Sequence, residues 1–115
     1  MVQGSAVLLD ESKLAIKECR SLLEEVSTSC CMPDRSPKMT EAFNQMDNIV
    51  LNLDLARQET ESVNKAIADI GHLGSIVGFL YATCCTVTRE PLYQKMYKEM
   101  NDAHGKLWQF LGHSH

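Results

Sequence analysis

The chain has 115 residues, 44% of them hydrophobic, and a formal net charge of -4, which suits one domain with its own core and is too apolar for a disordered chain. No run of Lys and Arg occurs, so the charge footprint that phosphate-backbone binding requires is missing and nucleic acid is not expected as a partner. The five cysteines, an odd number with the adjacent pairs Cys30-Cys31 and Cys84-Cys85, do not resemble a secreted disulfide framework; reduced cysteines act as small buried apolar groups, and a cytoplasmic or nuclear location is expected.

The apolar patch at 6–9 has no basic residue before it and Asp10 directly after it, so it lacks the layout of a signal peptide. From 8 to 30 the apolar residues repeat in sevens. Leu9, Ile16, Leu23 and Cys30 form one line, Cys19 and Val26 the next, and Leu8, Ala15 and Leu22 widen the stripe. This pattern predicts a helix of about six turns with a broad buried face. Glu11, Lys13, Lys17, Glu18, Arg20, Glu24 and Glu25 form its solvated side. Pro33 and Pro37 end it, and Ser36 before Pro37 reads as the cap of a second helix.

Met39, Phe43, Met46, Val50 and Leu53, spaced four, three, four and three, mark that second helix. The polar run 57–62 contains neither Gly nor Pro, and the apolar phase crosses it through Ala56, Thr60, Val63, Ile67 and Ile70. An unbroken helix from 37 to 87 would be about 75 Å long, too long for a compact domain of this size. A break is therefore expected near Thr60 to Ser62, with Gly71 as the rival position.

The stretch 67–87 leaves almost no polar face, while Gly71, Gly74, Gly78 and Ala82 recur at helical spacing. A helix apolar on most sides must be surrounded, and small residues at steps of three and four let a neighbouring backbone come close. The segment falls short of the roughly 20 apolar residues of a membrane span, so a membrane is not expected and the helix is placed in a protein core. Thr86, Thr88 and Pro91 mark the next boundary, followed by a last helix with Leu92, Met96, Ala103, Leu107 and Phe110 on one face. Tyr93, Tyr97, Met100, Trp108 and Leu111 broaden that face, and 112–115 is expected to fray. The expected architecture is all-α: a single antiparallel bundle of about four helices over 1–115, with the apolar, Gly-rich third helix at its centre.

Candidate chemistry is sparse. Four thiols from the two cysteine pairs could meet at one pole and bind zinc, or a pair could carry palmitate, but adjacent cysteines on a helix point about 100° apart, and buried thiols are the simpler reading. No metal or cofactor is expected. His72 is the one histidine in the apolar stretch, and Asp69 is placed at a helix start facing water. The tandem Y-x-x-M at Tyr93-Met96 and Tyr97-Met100 fits phosphotyrosine or sorting recognition in an extended peptide, but the same spacing puts both residues on one helix face, as core packing requires. Trp108-Leu111 has the W-x-x-L form of a strand-addition peptide, with an aromatic anchor as the plainer reading. Ser36-Pro37 fits a proline-directed phosphosite as well as a cap.

No G-x-S-x-G, phosphate loop or H-E-x-x-H is present, so an enzyme is not expected. The expected function is a non-enzymatic helical interaction subunit or adaptor in a homo- or hetero-oligomeric complex, with a protein partner that could be the chain itself. Gly71, Gly74, Gly78, Ala82, Met39, Phe43, Met46, Val50, Leu53 and Trp108 are the residues expected to serve helix packing or partner binding. Methionine-rich faces suit adaptable surfaces. The alternative is a bundle carrying a hydrophobic ligand or lipid in a cavity lined by Phe79, Tyr81 and Trp108.

Overall fold

The computed structural model describes residues 6–29, 36–56, 58–59, 61–83 and 90–112. Four helices, α1 (Ala6–Ser29), α2 (Ser36–Leu55), α3 (Glu61–Thr83) and α4 (Glu90–Phe110), form an all-α four-helix bundle. Each packs antiparallel on its neighbours in the order α1, α2, α3, α4 and back to α1. The α1–α4 and α2–α3 seams are the most extensive, α3–α4 is the least, and the diagonal pairs hardly meet.

The sevenfold lines of α1 go inward as their spacing requires: Leu9, Ile16, Leu23, Cys19 and Val26 are at most 3% exposed. Cys30 lies outside the described residues. In α2, Met39, Met46 and Leu53 are buried with Ala42 and Ile49, as is Ala56 just past its end, while Phe43 and Val50 are half-buried on the α1 side. On α4, Tyr93, Met96, Met100, Ala103 and Leu107 face the core. Both Y-x-x-M pairs thus pack as helix faces, with only Tyr97 half-buried. Across the α1–α4 seam the buried Ser12 Oγ donates to Ala103 O at 3.4 Å and the buried Cys19 Sγ to Met96 O at 3.4 Å.

α2 ends at Leu55 and α3 begins at Glu61, so the chain breaks near the expected Thr60 to Ser62, with Glu61 and Ser62 already in α3. Ala56 N–H still donates to Asn52 O, Glu59 N–H turns back to Leu55 O, and Ser62 N–H reaches Glu59 O, each at 2.9 Å. Folding the stripes of α2 and α3 onto one another buries more apolar surface than continuing the helix would. Gly71, the rival break point, lies inside α3.

The placement of α3 corrects the expectation of a central, surrounded helix. It occupies one corner of the ring, with α2 on one flank and α4 on the other. Val63, Ala66, Ile70, Leu73, Ile76, Val77 and Leu80 are buried. Its opposite side is exposed, and from Ala68 to Ala82 the exposed positions carry no Asp, Glu, Lys or Arg. At the end of α4, Gly112 at φ 90° closes the helix: its N–H donates to Gln109 O at 2.8 Å, and Leu111 N–H to Leu107 O at 3.1 Å. A glycine in this left-handed conformation is a regular helix stop, so Gly112, expected to fray, instead closes the helix. Among the described residues no helix is long and apolar enough to cross a membrane.

Candidate interaction surface

Helical periodicity divides α3 into two unlike sides. The exposed side between Ala68 and Ala82 carries Ala68, Gly71, His72, Ser75, Phe79 and Ala82, with Gly74 and Gly78 half-buried at its α4 edge. None is Asp, Glu, Lys or Arg. The one charged residue in that stretch, Asp69, is half-buried and accepts a hydrogen bond from Asn52 Nδ2 at 3.0 Å, tying α3 to α2. Asp69 is therefore mid-helix and partnered, not at a helix start facing water.

Among the described residues, no backbone of this chain nestles against the α3 glycines. A Cβ placed on Gly71 or Gly74 would meet no atom within 4 Å, and at Gly78 only the Tyr97 hydroxyl stands at 3.4 Å. Ala82 is exposed. At the α3–α4 seam Tyr97 and Tyr81 fill the space: the Tyr81 ring lies 5.1 Å from Tyr93 and 6.3 Å from Tyr97, and its hydroxyl donates to Glu90 Oε2 at 2.6 Å. That hydrogen bond to a carboxylate raises the Tyr81 hydroxyl pKa, with burial adding to it. Of the α3 glycines, only Gly78 lies against this group of tyrosines.

At the α2 edge of this surface, Lys38 Nζ lies 3.2 Å from Glu41 Oε1 and 5.5 Å from the centre of the Phe79 ring, and His72 Nε2 lies 3.5 Å from Glu41 Oε2. The Lys38 hydrogen bond holds the Glu41 carboxyl below its usual range, with His72 adding to it. His72 is thus a surface residue. The phenyl ring of Phe79 remains 47% exposed even under the lysine.

Other residues singled out from the sequence are spread through the fold. Met39, Met46 and Leu53 serve helix packing only, and Met96 and Met100 are buried too, so these methionines offer no adaptable surface to a partner. Phe43 lies beneath the Arg20 guanidinium at 4.8 Å, where Arg20 also pairs with Asp47 at 3.1 Å. Trp108 is half-buried and stacks with His104 at 6.1 Å. The three aromatics of the carrier reading do not converge: Phe79 points out beside α2, Tyr81 sits among tyrosines, and Trp108 lies about 16 Å further along α4 than Tyr97. The cysteine pairs, and with them the zinc and palmitate readings, lie outside the described residues, as does the Ser36 side chain. Among the described residues no group of His, Cys, Asp and Glu could hold a metal ion.

The structure also exposes apolar side chains that fall outside every sequence stripe: Val7 at 56% and Leu14 at 65% on α1, and Leu51 and Leu55 on α2. Their signal was their phase. Leu14 stands among Glu11, Lys17 and Glu18, on the polar side of α1. It lines an open groove of about 570 Å³ between α1 and α4. Comparison with family models, curated proteins and solved structures finds no match.

Proposed function

We propose that the protein is a non-enzymatic helical interaction subunit, and that the outer side of α3 is the surface on which a partner helix packs. One observation carries this reading: the exposed positions between Ala68 and Ala82 include no Asp, Glu, Lys or Arg, and a Cβ on Gly71 or Gly74 would meet nothing within 4 Å. An exposed helix side is ordinarily kept soluble by charge, whereas small residues at helical spacing allow two backbones to approach and gain dispersion contacts along their length. Phe79, 47% exposed at the edge of the strip, supplies an aromatic anchor of the kind that concentrates binding energy.

The test is a pair of substitutions on the exposed side, Gly71→Arg and Ser75→Arg. Neither position faces the core, so the melting temperature of the purified chain is expected to stay within a few degrees of the parent. Complexes recovered with the tagged chain are expected to be lost. Recovery of the same stoichiometric complexes with both variants would refute the assignment of this surface.

A further inference from the structure

The break between α2 and α3 is built from residues that also suit a helix. The run 57–62 holds neither Gly nor Pro, and the apolar stripe stays in phase across it through Ala56, Thr60, Val63 and Ile67. Helix-type bonds persist into the turn: Ala56 N–H donates to Asn52 O and Glu59 N–H to Leu55 O, the partners that an unbroken helix would give them. Among the described turn residues, Ala56, Gln58 and Glu59, none adopts the left-handed conformation that commonly ends a helix. What keeps the turn closed is therefore the packing of one half of the chain on the other. The halves are α1 with α2 and α3 with α4, and the two most extensive seams, α1–α4 and α2–α3, both run between them. Within the halves, Lys13 pairs with Asp54 and Arg20 with Asp47 to tie α1 to α2, and Tyr81 reaches Glu90 and Tyr97 on α4.

We propose that the chain has a second, open form in which α2 and α3 join as one helix of about 70 Å, and that two copies in this form exchange halves to make a dimer. Each lobe of that dimer is the same four-helix bundle, with α1 and α2 from one copy and α3 and α4 from the other. The bundle itself names the second copy as the partner. Asn52 meets Asp69, Glu41 meets His72, Ser12 meets Ala103 and Cys19 meets Met96 in the monomer, and every one of these pairs re-forms between the copies. The exchange gives up only the turn and gains the helical bonds of 57–62 in both chains, against the entropy of association. A lone open chain would leave the stripes of both halves in water, so opening and pairing occur together. The outer side of α3 takes no part in it.

The full chain, refolded from urea at high concentration and then diluted for size exclusion, is expected to give a monomer and a dimer that interconvert slowly, because exchange requires the seams to open. In X-ray scattering the dimer is expected to reach nearly twice the 50 Å length of the monomer. Glu61→Pro separates the two forms. Glu61 is exposed and first in α3, where proline suits the closed chain, but it would stand inside the joined helix. The variant is expected to fold as a monomer and to lose the dimer, as is a chain with Gly-Ser-Gly-Ser inserted after Glu59. Thr60→Ala, which favours helix, is expected to raise the share of dimer. A wild-type chain that gives only monomer would overturn the exchange. A dimer no longer than the monomer, or one kept by both Glu61→Pro and the insertion, would overturn it too. Gly71→Arg is expected to leave the dimer in place, and loss of the dimer in that variant alone would assign self-association to the outer side of α3 instead.

Discussion

Leu73→Ala is expected to lower the free energy of unfolding by about 3 kcal/mol, while Gly74→Ala, one position on, raises it by about 1 kcal/mol. Leu73 is fully buried in the core, so truncation removes its transfer energy and leaves a cavity between packed helices. Gly74 sits in the middle of α3 with nothing within 4 Å of the Cβ it lacks, so alanine meets no clash and gains helix propensity. Urea denaturation of the two variants measures both effects on one scale. Were α3 central with its glycines against a neighbour, the second sign would reverse, and Gly74→Ala would destabilise by overpacking.

Stability is expected to fall by up to about 4 kcal/mol between pH 9 and pH 12 through Cys19 alone. Burial, with Glu99 and Glu18 adding to it, pushes this thiol from 9.0 up to about 12. Below pH 9 the thiol is protonated in folded and unfolded chains alike, and its contribution is fully present. Above pH 9 the unfolded chain releases the proton while the folded chain cannot, so the unfolded state gains. Tyr97, raised by burial, acts in the same direction, as does Lys106, whose hydrogen bond to Asp102 raises its pKa and is lost on deprotonation. Cys19→Ala should therefore show a flatter loss of stability across this range than the parent chain. Parallel curves for the two would refute the buried-thiol account.

The bundle was legible because its stripes obey simple periods. The sevenfold lines through Ile16 and Leu23 and the four-three spacing from Met39 to Leu53 needed only helix geometry to be placed inside. The break between α2 and α3 was legible only through length and the polar run 57–62, since no glycine or proline marks it and the decisive term is the pairing of two distant stripes. The misplacement of α3 has a different cause. Alanine and glycine score as apolar or neutral, so a helix with a small-residue exterior looks in sequence like one that is buried all round. Whether the glycines touch a neighbour depended on which side of α3 the other helices cover, and at Gly78 on Tyr97, contacts between helices that no local pattern encodes. The exposure of Leu14 was written in its phase, opposite Ile16 and Cys19, but a lone leucine on a polar side is too ordinary to single out.

The most direct test of the central claim is photo-crosslinking from Ser75, at the centre of the uncharged strip, with a benzophenone side chain installed there in the full chain within cells. A discrete adduct of fixed mass is expected from Ser75, and it should vanish when Gly71→Arg is added. The same probe at the exposed Asn48 on α2 should give none. Equal, diffuse labelling from Ser75 and Asn48 would contradict the assignment of the outer side of α3 as the surface through which this protein works.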